Sequence, residues 1–147
     1  MATLGEGSSA TIYALPDDRH VLKVYQKKPT INWRLQTALQ EIDPLQLRYI
    51  HYVRTMNPRI MMMKRLLPLD PLRLNRSQYR YLRKSVEFLG EHNLSHGDIP
   101  GNVMLDPVTL MPVLIDFDHG QVRASKDDKS MDYMAFMTHA KIGKATN

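Results

Sequence analysis

The sequence predicts an α+β fold, because patterns typical of strands and patterns typical of helices both occur along it. Leu22 and Val24 alternate with their neighbours as in a half-buried β-strand near the amino terminus. Two later segments carry apolar residues at helical spacing: Ile31, Leu35, Leu39 and Ile42, then Leu82, Val86 and Leu89. The 147 residues suit one domain with a buried core.

Cap and breaker residues predict where these helices begin and end. Thr30 is a suitable cap for the first helix, which should end near Asp43 because Pro44 follows it. Ser77 is the expected start of the second helix, which should end within residues 90–93.

Turn residues predict the remaining strands. Residues 46–53 and 59–64 are expected to be two strands around a turn at residues 55–58. Residues 103–105 and 111–115 are expected to pair as a hairpin around a turn at residues 106–109.

That hairpin would join two polar motifs, His-Gly-Asp-Ile-Pro-Gly-Asn at residues 96–102 and Asp-Phe-Asp at residues 116–118. Phosphoryl transfer needs a carboxylate to orient or deprotonate the attacking hydroxyl, and oxygen ligands for Mg²⁺. Asp98 suits the first role, and Asn102 and Asp116 suit the second. Either motif alone could be an unrelated turn aspartate. Their order and the hairpin between them favour an active site.

A glycine-rich segment near the amino terminus adds a candidate phosphate site. Gly5 and Gly7 let the backbone approach phosphates closely, with Ser8 and Ser9 beside them, and Lys23 lies on the strand that follows. Ala10 stands where a third glycine is usual. By itself this segment could equally be a flexible turn.

In this order, the motifs resemble those of the protein kinase-like superfamily. The resemblance implies a minimal two-lobed kinase-like fold, with an N-lobe at residues 1–66, a truncated C-terminal lobe at residues 67–141 and a tail at residues 142–147. ATP and Mg²⁺ are the cofactors it implies.

The resemblance also implies roles for individual residues. Lys23 would contact the α and β phosphates, and Glu41, eighteen residues later on the first helix, would pair with Lys23. Asp132, in the segment at residues 130–136 that resembles a kinase helix, would support the catalytic loop. The alternative for Glu41 is a solvated surface position.

Three departures from ordinary protein kinases bear on mechanism. Gly97 replaces the arginine that would receive an activation-loop phosphate, and residues 121–129 are too few for that loop. Regulation by loop phosphorylation is therefore not expected. Asn102 follows Asp98 by four residues where the usual spacing is five, which requires a tighter turn at Pro100-Gly101.

Among kinase families, the motifs resemble the minimal effector kinases of bacterial type III secretion, in particular the HopBF type. This implies an ATP-dependent protein Ser/Thr kinase that is secreted into the host cytoplasm. Its implied partner is a host protein such as the ninety-kilodalton heat-shock chaperone. Two alternatives stay open: a small-molecule phosphotransferase of the aminoglycoside type, and a pseudokinase that only binds. The chain looks too short for the first, and its full set of charged site residues argues against the second.

The composition argues against several other classes of protein. The chain has no cysteine, no cleavable signal peptide and no apolar run long enough to span a membrane. Its net charge of +5 is dispersed, so nucleic-acid binding is not expected, and we expect a monomer. Met131, Met134 and Met137 recur at helical spacing and are predicted to pack in the core.

Overall fold

The computed structural model contains two antiparallel sheets and three helices over the residues it describes. These are residues 2–7, 10–27, 31–52, 57–69 and 74–146, with side chains described up to residue 137. The predicted phosphate-loop serines, Ser8 and Ser9, and the predicted cap Thr30 lie outside the described residues. None of the helices in these ranges is both long and apolar enough to cross a membrane.

The first sheet is a four-stranded antiparallel meander in sequence order. Its strands are β1 (Thr3–Glu6), β2 (Ala10–Ala14), β3 (His20–Tyr25) and β4 (Ile60–Lys64). Lys23, in the middle of β3, pairs with Ile12 on one side and Met61 on the other. Side chains alternate along a strand, so Lys23 shares its face with Val21 and Tyr25, both buried.

Helix α1 (Trp33–Ile42) begins later than the sequence predicts. Its cap is Asn32, whose side-chain oxygen accepts the N–H of Leu35 at 3.2 Å. Asn is as good a cap as Thr because both offer an oxygen to a backbone donor of the first turn. The predicted end at Asp43 is confirmed.

Over the described residues 46–52 the expected strand does not form, although β4 confirms its predicted partner. Residue 53 and the first half of the predicted turn at residues 55–58 lie outside the described residues. Tyr49 makes only an isolated bridge to Leu114. The Asp43 carboxylate accepts three successive backbone N–H groups, those of Leu47, Arg48 and Tyr49. These three backbone N–H groups are therefore not available to the hydrogen bonds of a strand ladder.

The second sheet contains β5 (Leu67–Pro68), β6 (Val103–Leu105) and β7 (Pro112–Leu114), and its β6–β7 hairpin confirms the sequence prediction. In the chain, helix α2 (Arg76–Glu91) lies between β5 and β6, and helix α3 (Lys126–Thr146) follows β7. The cap of α2 is Asn75, the residue before the helix. In a capping box, the Asn75 side chain accepts the backbone N–H of Gln78, and the Gln78 side chain accepts the backbone N–H of Asn75.

The buried apolar residues of the described chain form two hydrophobic clusters. The cluster under the first sheet includes Tyr25, Tyr52 and Met61. The other packs α2, α3 and the β6–β7 hairpin together, and it also takes Leu35 and Leu39 from α1. Helix α1 is therefore held mainly by the second cluster.

The methionines of α3 lie at the surface and not in the core as the sequence predicts. Met131, Met134 and Met137 are 67%, 68% and 41% exposed, whereas Asp132 and Phe136 are buried. The inward face of α3 is fixed by these two residues four positions apart, which turns the methionine edge to solvent. The helix also continues through Thr146, beyond the predicted tail boundary.

Candidate active site

Gly5 and Gly7, between which β1 ends, have open space beside them among the described residues. The N–H of Gly7 donates to the carbonyl of Ala10 at 2.9 Å, which closes the hairpin. A Cβ added at Gly5 would meet no described atom within 4 Å, and at Gly7 only the Ala10 carbonyl at 3.7 Å. The backbone here leaves room for a bound group to approach.

The ammonium group of Lys23 lies between aromatic residues and a carboxylate. It donates to the hydroxyl of Tyr52 at 2.8 Å and lies 3.9 Å from Asp116 Oδ1. It also sits 4.9 Å from the ring centre of Tyr25 and 5.2 Å from that of Tyr52, within the range of cation–π attraction. The Lys23 side chain is only 12% exposed, so these contacts orient its charge.

The two tyrosines form a buried pair behind Lys23. The Tyr25 hydroxyl donates to the Tyr52 hydroxyl at 2.8 Å, and the rings meet edge to face. Burial raises the pKa of both hydroxyls above the ordinary tyrosine value, with the nearby Asp118 charge adding to the effect. Both hydroxyls therefore stay protonated in neutral solution.

The predicted pairing of Glu41 with Lys23 is not present. Glu41 is exposed near the end of α1, and no ion pair joins it to Lys23 in the part of the chain that the structure describes. The inward residues of α1 are Leu35, Gln36 and Leu39. Glu41 follows Gln36 by five residues, which is a net rotation of about 140° around the helix axis, so Glu41 lies on the opposite side of the helix.

The inward polar residue of α1 is instead Gln36. Its Oε1 accepts the backbone N–H of Tyr52 at 2.9 Å, and the residue is 4% exposed. The helix therefore reaches Lys23 indirectly, through the segment that carries Tyr52.

His96 braces the loop that carries Asp98. Its Nδ1 accepts the N–H of Asp98 at 3.0 Å, and its Nε2 lies 2.6 Å from the carbonyl of Ile115. Accepting at one nitrogen and donating at the other requires the neutral imidazole. Burial lowers the pKa of His96, which favours that form. The ring thus joins the loop to the strand leading into Asp116.

Asp132 confirms the predicted support for this loop. Its buried carboxylate accepts the backbone N–H groups of His96 at 2.6 Å and Gly97 at 2.9 Å. The glycine at 97 has a steric cause, because its φ is +83° and an added Cβ would lie 2.4 Å from the His119 carbonyl oxygen.

The shortened segment from Asp98 to Asn102 closes as a tight turn. The N–H of Asn102 donates to the Ile99 carbonyl at 3.0 Å, with Pro100 second and Gly101, at φ +80°, third. Pro followed by a positive-φ Gly is typical of a type II turn. The Nδ2 of Asn102 then donates to Asp98, at 2.7 Å to its carbonyl and 3.3 Å to its carboxylate. The loop is compact enough to keep both side chains together.

Asp116 follows directly from the hairpin. The N–H of Ile115 donates to the Asn102 carbonyl at 3.0 Å, so Asn102 and Asp116 project from neighbouring points of the backbone. Asp116 has φ +61°, a conformation that side chains rarely adopt and that clusters at functional sites. The buried Phe117 ring anchors the turn against His96 and Tyr49.

A second carboxylate, Asp118, faces the same region. Burial, followed by the charge of Asp116, raises the pKa of Asp118 to about 6. Its Oδ1 is buried without a hydrogen-bond partner among the described residues. Two close carboxylates with an unmatched oxygen fit a divalent cation, since hard cations take carboxylate oxygens and relieve their repulsion.

Sequence reasoning missed Tyr25, Tyr52 and Gln36, and it named Asp118 only as part of a motif. Tyr25 could have been found, because it lies two residues after Lys23 and so shares its strand face. Tyr52 and Gln36 carry no local signal. Their position depends on how α1 and the following segment pack against the sheet.

No protein-family model and no curated protein sequence matches the chain. Among solved structures, it is similar to the Rio2 kinase from Chaetomium thermophilum, an atypical protein kinase, in its complex with ADP, Mg²⁺ and phosphoaspartate. The TM-score is 0.60 at 18% sequence identity. The chain has a kinase-like fold. The match covers 98% of this chain and 53% of the Rio2 chain, so the protein spans about half the length of that kinase.

Proposed function

We propose that the protein is an ATP-dependent protein Ser/Thr kinase. The observation that carries this proposal is the convergence of Lys23 and Asp116, 3.9 Å apart, beside the braced loop of Asp98. The Rio2 neighbour, a kinase in complex with ADP and Mg²⁺, supports nucleotide and magnesium binding at such a site. A catalytic carboxylate, a lysine and metal ligands are the parts that phosphoryl transfer needs.

The proposed nucleotide site lies between the glycine-rich turn and Asp116. Gly5 and Gly7 would hold the phosphates through their backbone, and Lys23 would neutralise their charge. Asp116, Asp118 and Asn102 would hold Mg²⁺. When bound, the metal neutralises developing negative charge on the transferring phosphoryl group.

Asp98 is the proposed residue for the acceptor hydroxyl. It is exposed, so a protein side chain can reach it. The hydrogen bond from Asn102 Nδ2 at 3.3 Å holds the Asp98 carboxylate in place. The hydrogen bond from the Asp98 N–H to His96 holds its main chain. An oriented carboxylate accepts the hydroxyl proton as the oxygen attacks phosphorus.

The proposed substrate is a host protein, of which the ninety-kilodalton heat-shock chaperone is the first to test. This assignment is supported by the likeness of the His-Gly-Asp and Asp-Phe-Asp motifs to HopBF-type effector kinases. Delivery into the host cytoplasm and a monomeric state are part of the same proposal.

Transfer from [γ-³²P]ATP to lysate proteins and to the purified chaperone tests the proposal. Phosphoserine or phosphothreonine should form with the native protein and not with Asp98→Asn. Phosphatase treatment of the enzyme beforehand should not reduce the rate, because Gly97 stands directly before Asp98 where an arginine would bind a loop phosphate. Faster phosphorylation of aminoglycosides than of any protein would favour the small-molecule alternative.

A second candidate is an ATPase that phosphorylates its own aspartate. The Rio2 structure contains a phosphoaspartate, and here Asp116 has a side chain 36% exposed next to Lys23. In this reaction an Asp116 oxygen bonds to the γ phosphorus while the bond to the β-phosphate oxygen breaks, releasing ADP. Water then hydrolyses the acyl phosphate, which releases phosphate and regenerates the Asp116 carboxylate. Hydroxylamine cleaves acyl phosphates, so hydroxylamine-sensitive label on the protein itself would favour this candidate.

A further inference from the structure

The anchor of Lys23 is a neutral hydroxyl and not a carboxylate of helix α1. We propose that Tyr52 is the positioning residue for Lys23, and that it does the work expected of Glu41. The inference rests on the proposed nucleotide site, where Lys23 contacts phosphate. It adds a residue that no sequence motif indicates.

The contacts of Tyr52 support this assignment. Its oxygen accepts from Lys23 at 2.8 Å and from Tyr25 at 2.8 Å, so two donors fix the position of that oxygen. The Tyr52 residue is 6% exposed, which excludes water from competing for the bond. A buried hydrogen bond to a charged donor is stronger than one in water.

Tyr52 also connects Lys23 to helix α1. Its backbone N–H donates to Gln36 Oε1 at 2.9 Å, and Gln36 lies on the inward face of the helix. A polar path therefore runs from α1 through Gln36 and Tyr52 to the ammonium group. The helix controls the lysine through this path, without a direct ion pair.

A hydroxyl anchor has a different electrostatic effect from a carboxylate. Tyr52 orients Lys23 without cancelling its charge, so the whole charge acts on Asp116 and on bound phosphate. Burial keeps the pKa of Tyr52 above its ordinary value, so the anchor stays neutral in neutral and mildly alkaline solution.

Tyr52→Phe tests the inference, because it removes the hydroxyl and keeps the ring. Tyr81→Phe is the control: Tyr81 is a tyrosine on helix α2 whose hydroxyl donates to the Leu47 carbonyl at 3.1 Å. Steady-state ATP turnover should show kcat/KM for ATP reduced about tenfold in Tyr52→Phe, the loss of one hydrogen bond to a charged group. The control should remain within about twofold of native.

A second measurement does not depend on activity. In ¹⁵N-lysine-labelled protein, the ammonium signal of Lys23, identified by its loss in Lys23→Arg, should be sharp in the native protein and in Tyr81→Phe. It should broaden in Tyr52→Phe, because an ammonium group without its acceptor exchanges faster with water.

Three results would overturn the inference: an unchanged signal, unchanged kcat/KM in Tyr52→Phe, or equal changes in both variants. Failure of the native protein to bind Mg-ATP would instead contradict the proposed function. The two failures are therefore distinguishable, because failure of the inference about Tyr52 leaves nucleotide binding by the native protein intact.

Discussion

The carboxylate of Asp132 accepts the backbone N–H of His96 at 2.6 Å, across thirty-six residues of sequence. The other carboxylate oxygen accepts the next N–H, that of Gly97. Helix α3 thereby holds the main chain immediately before Asp98. The position of the proposed catalytic carboxylate consequently depends on a helix that does not itself enter the site.

Asp132→Asn should destabilise the protein and reduce transfer. An amide offers one oxygen, so one of the two backbone donors loses its acceptor, at a cost of about 2 kcal/mol. Thermal unfolding measures the stability. The transfer rate at temperatures below the unfolding transition reports whether the loop still holds Asp98 in position. Asp127→Asn, on the exposed first turn of α3, is the control; it should leave transfer unchanged and lower stability by less than about 1 kcal/mol, the loss of one favourable charge at a helix amino terminus. Equal melting temperatures for Asp132→Asn and native protein would contradict the supporting role.

Gly97→Ala should destabilise the protein by about 3 kcal/mol. The added methyl meets the His119 carbonyl at 2.4 Å in addition to the strain of a positive φ. Gly101→Ala is the matched control, because Gly101 also has a positive φ but its Cβ would meet no described atom within 4 Å. It should cost about 1 kcal/mol, the conformational strain alone. Urea unfolding compares the two, and equal losses would mean that His119 moves aside.

Asp98→Asn and Asp116→Asn should fail in different ways. Asp98 serves the hydroxyl, so its variant should lose at least about a hundredfold in transfer rate with Mg-ATP binding nearly unchanged. Asp116→Asn removes a proposed metal ligand and should weaken magnesium-dependent nucleotide binding itself. Calorimetric titration with and without Mg²⁺ separates them. If both variants bound the nucleotide equally well, the separate roles of the two aspartates would be incorrect.

Asp118→Asn should stabilise the nucleotide-free protein at pH 7.5 and stabilise it by a smaller amount at pH 5. The pKa of Asp118 is raised to about 6, by burial and then by Asp116. The folded state favours the protonated form, so the stability that Asp118 contributes is fully present below its ordinary pKa of 3.8 and is lost as the pH rises from there through about 6. The gain at pH 7.5 should be roughly 1 kcal/mol, allowing for solvent screening.

Chemical denaturation at the two pH values, without Mg²⁺, measures this difference. A variant that is equally stabilised at both pH values would show that the effect comes from packing and not from ionisation. Because a bound cation competes with the proton on Asp118, native Mg-ATP affinity should also fall between pH 7.5 and pH 5.5.

Local sequence determined the parts of the site whose geometry is set by neighbouring residues. The hairpin between Asn102 and Asp116 follows from two short apolar segments around a turn, and the Pro100-Gly101 pair sets the tight turn before it. The strand carrying Lys23 follows from its alternation. The kinase-like fold could be predicted because these motifs occur in a recognisable order.

Tertiary packing decided which polar group meets Lys23. Glu41 and Gln36 lie on the same helix, and the rotation of that helix is set by Leu35 and Leu39, which pack into the second cluster. That packing turns Glu41 to solvent and Gln36 inward, and it places Tyr52 against the lysine. The sum of many apolar contacts outweighs a single ion pair, and those contacts join residues far apart in the chain, so no local pattern records their outcome.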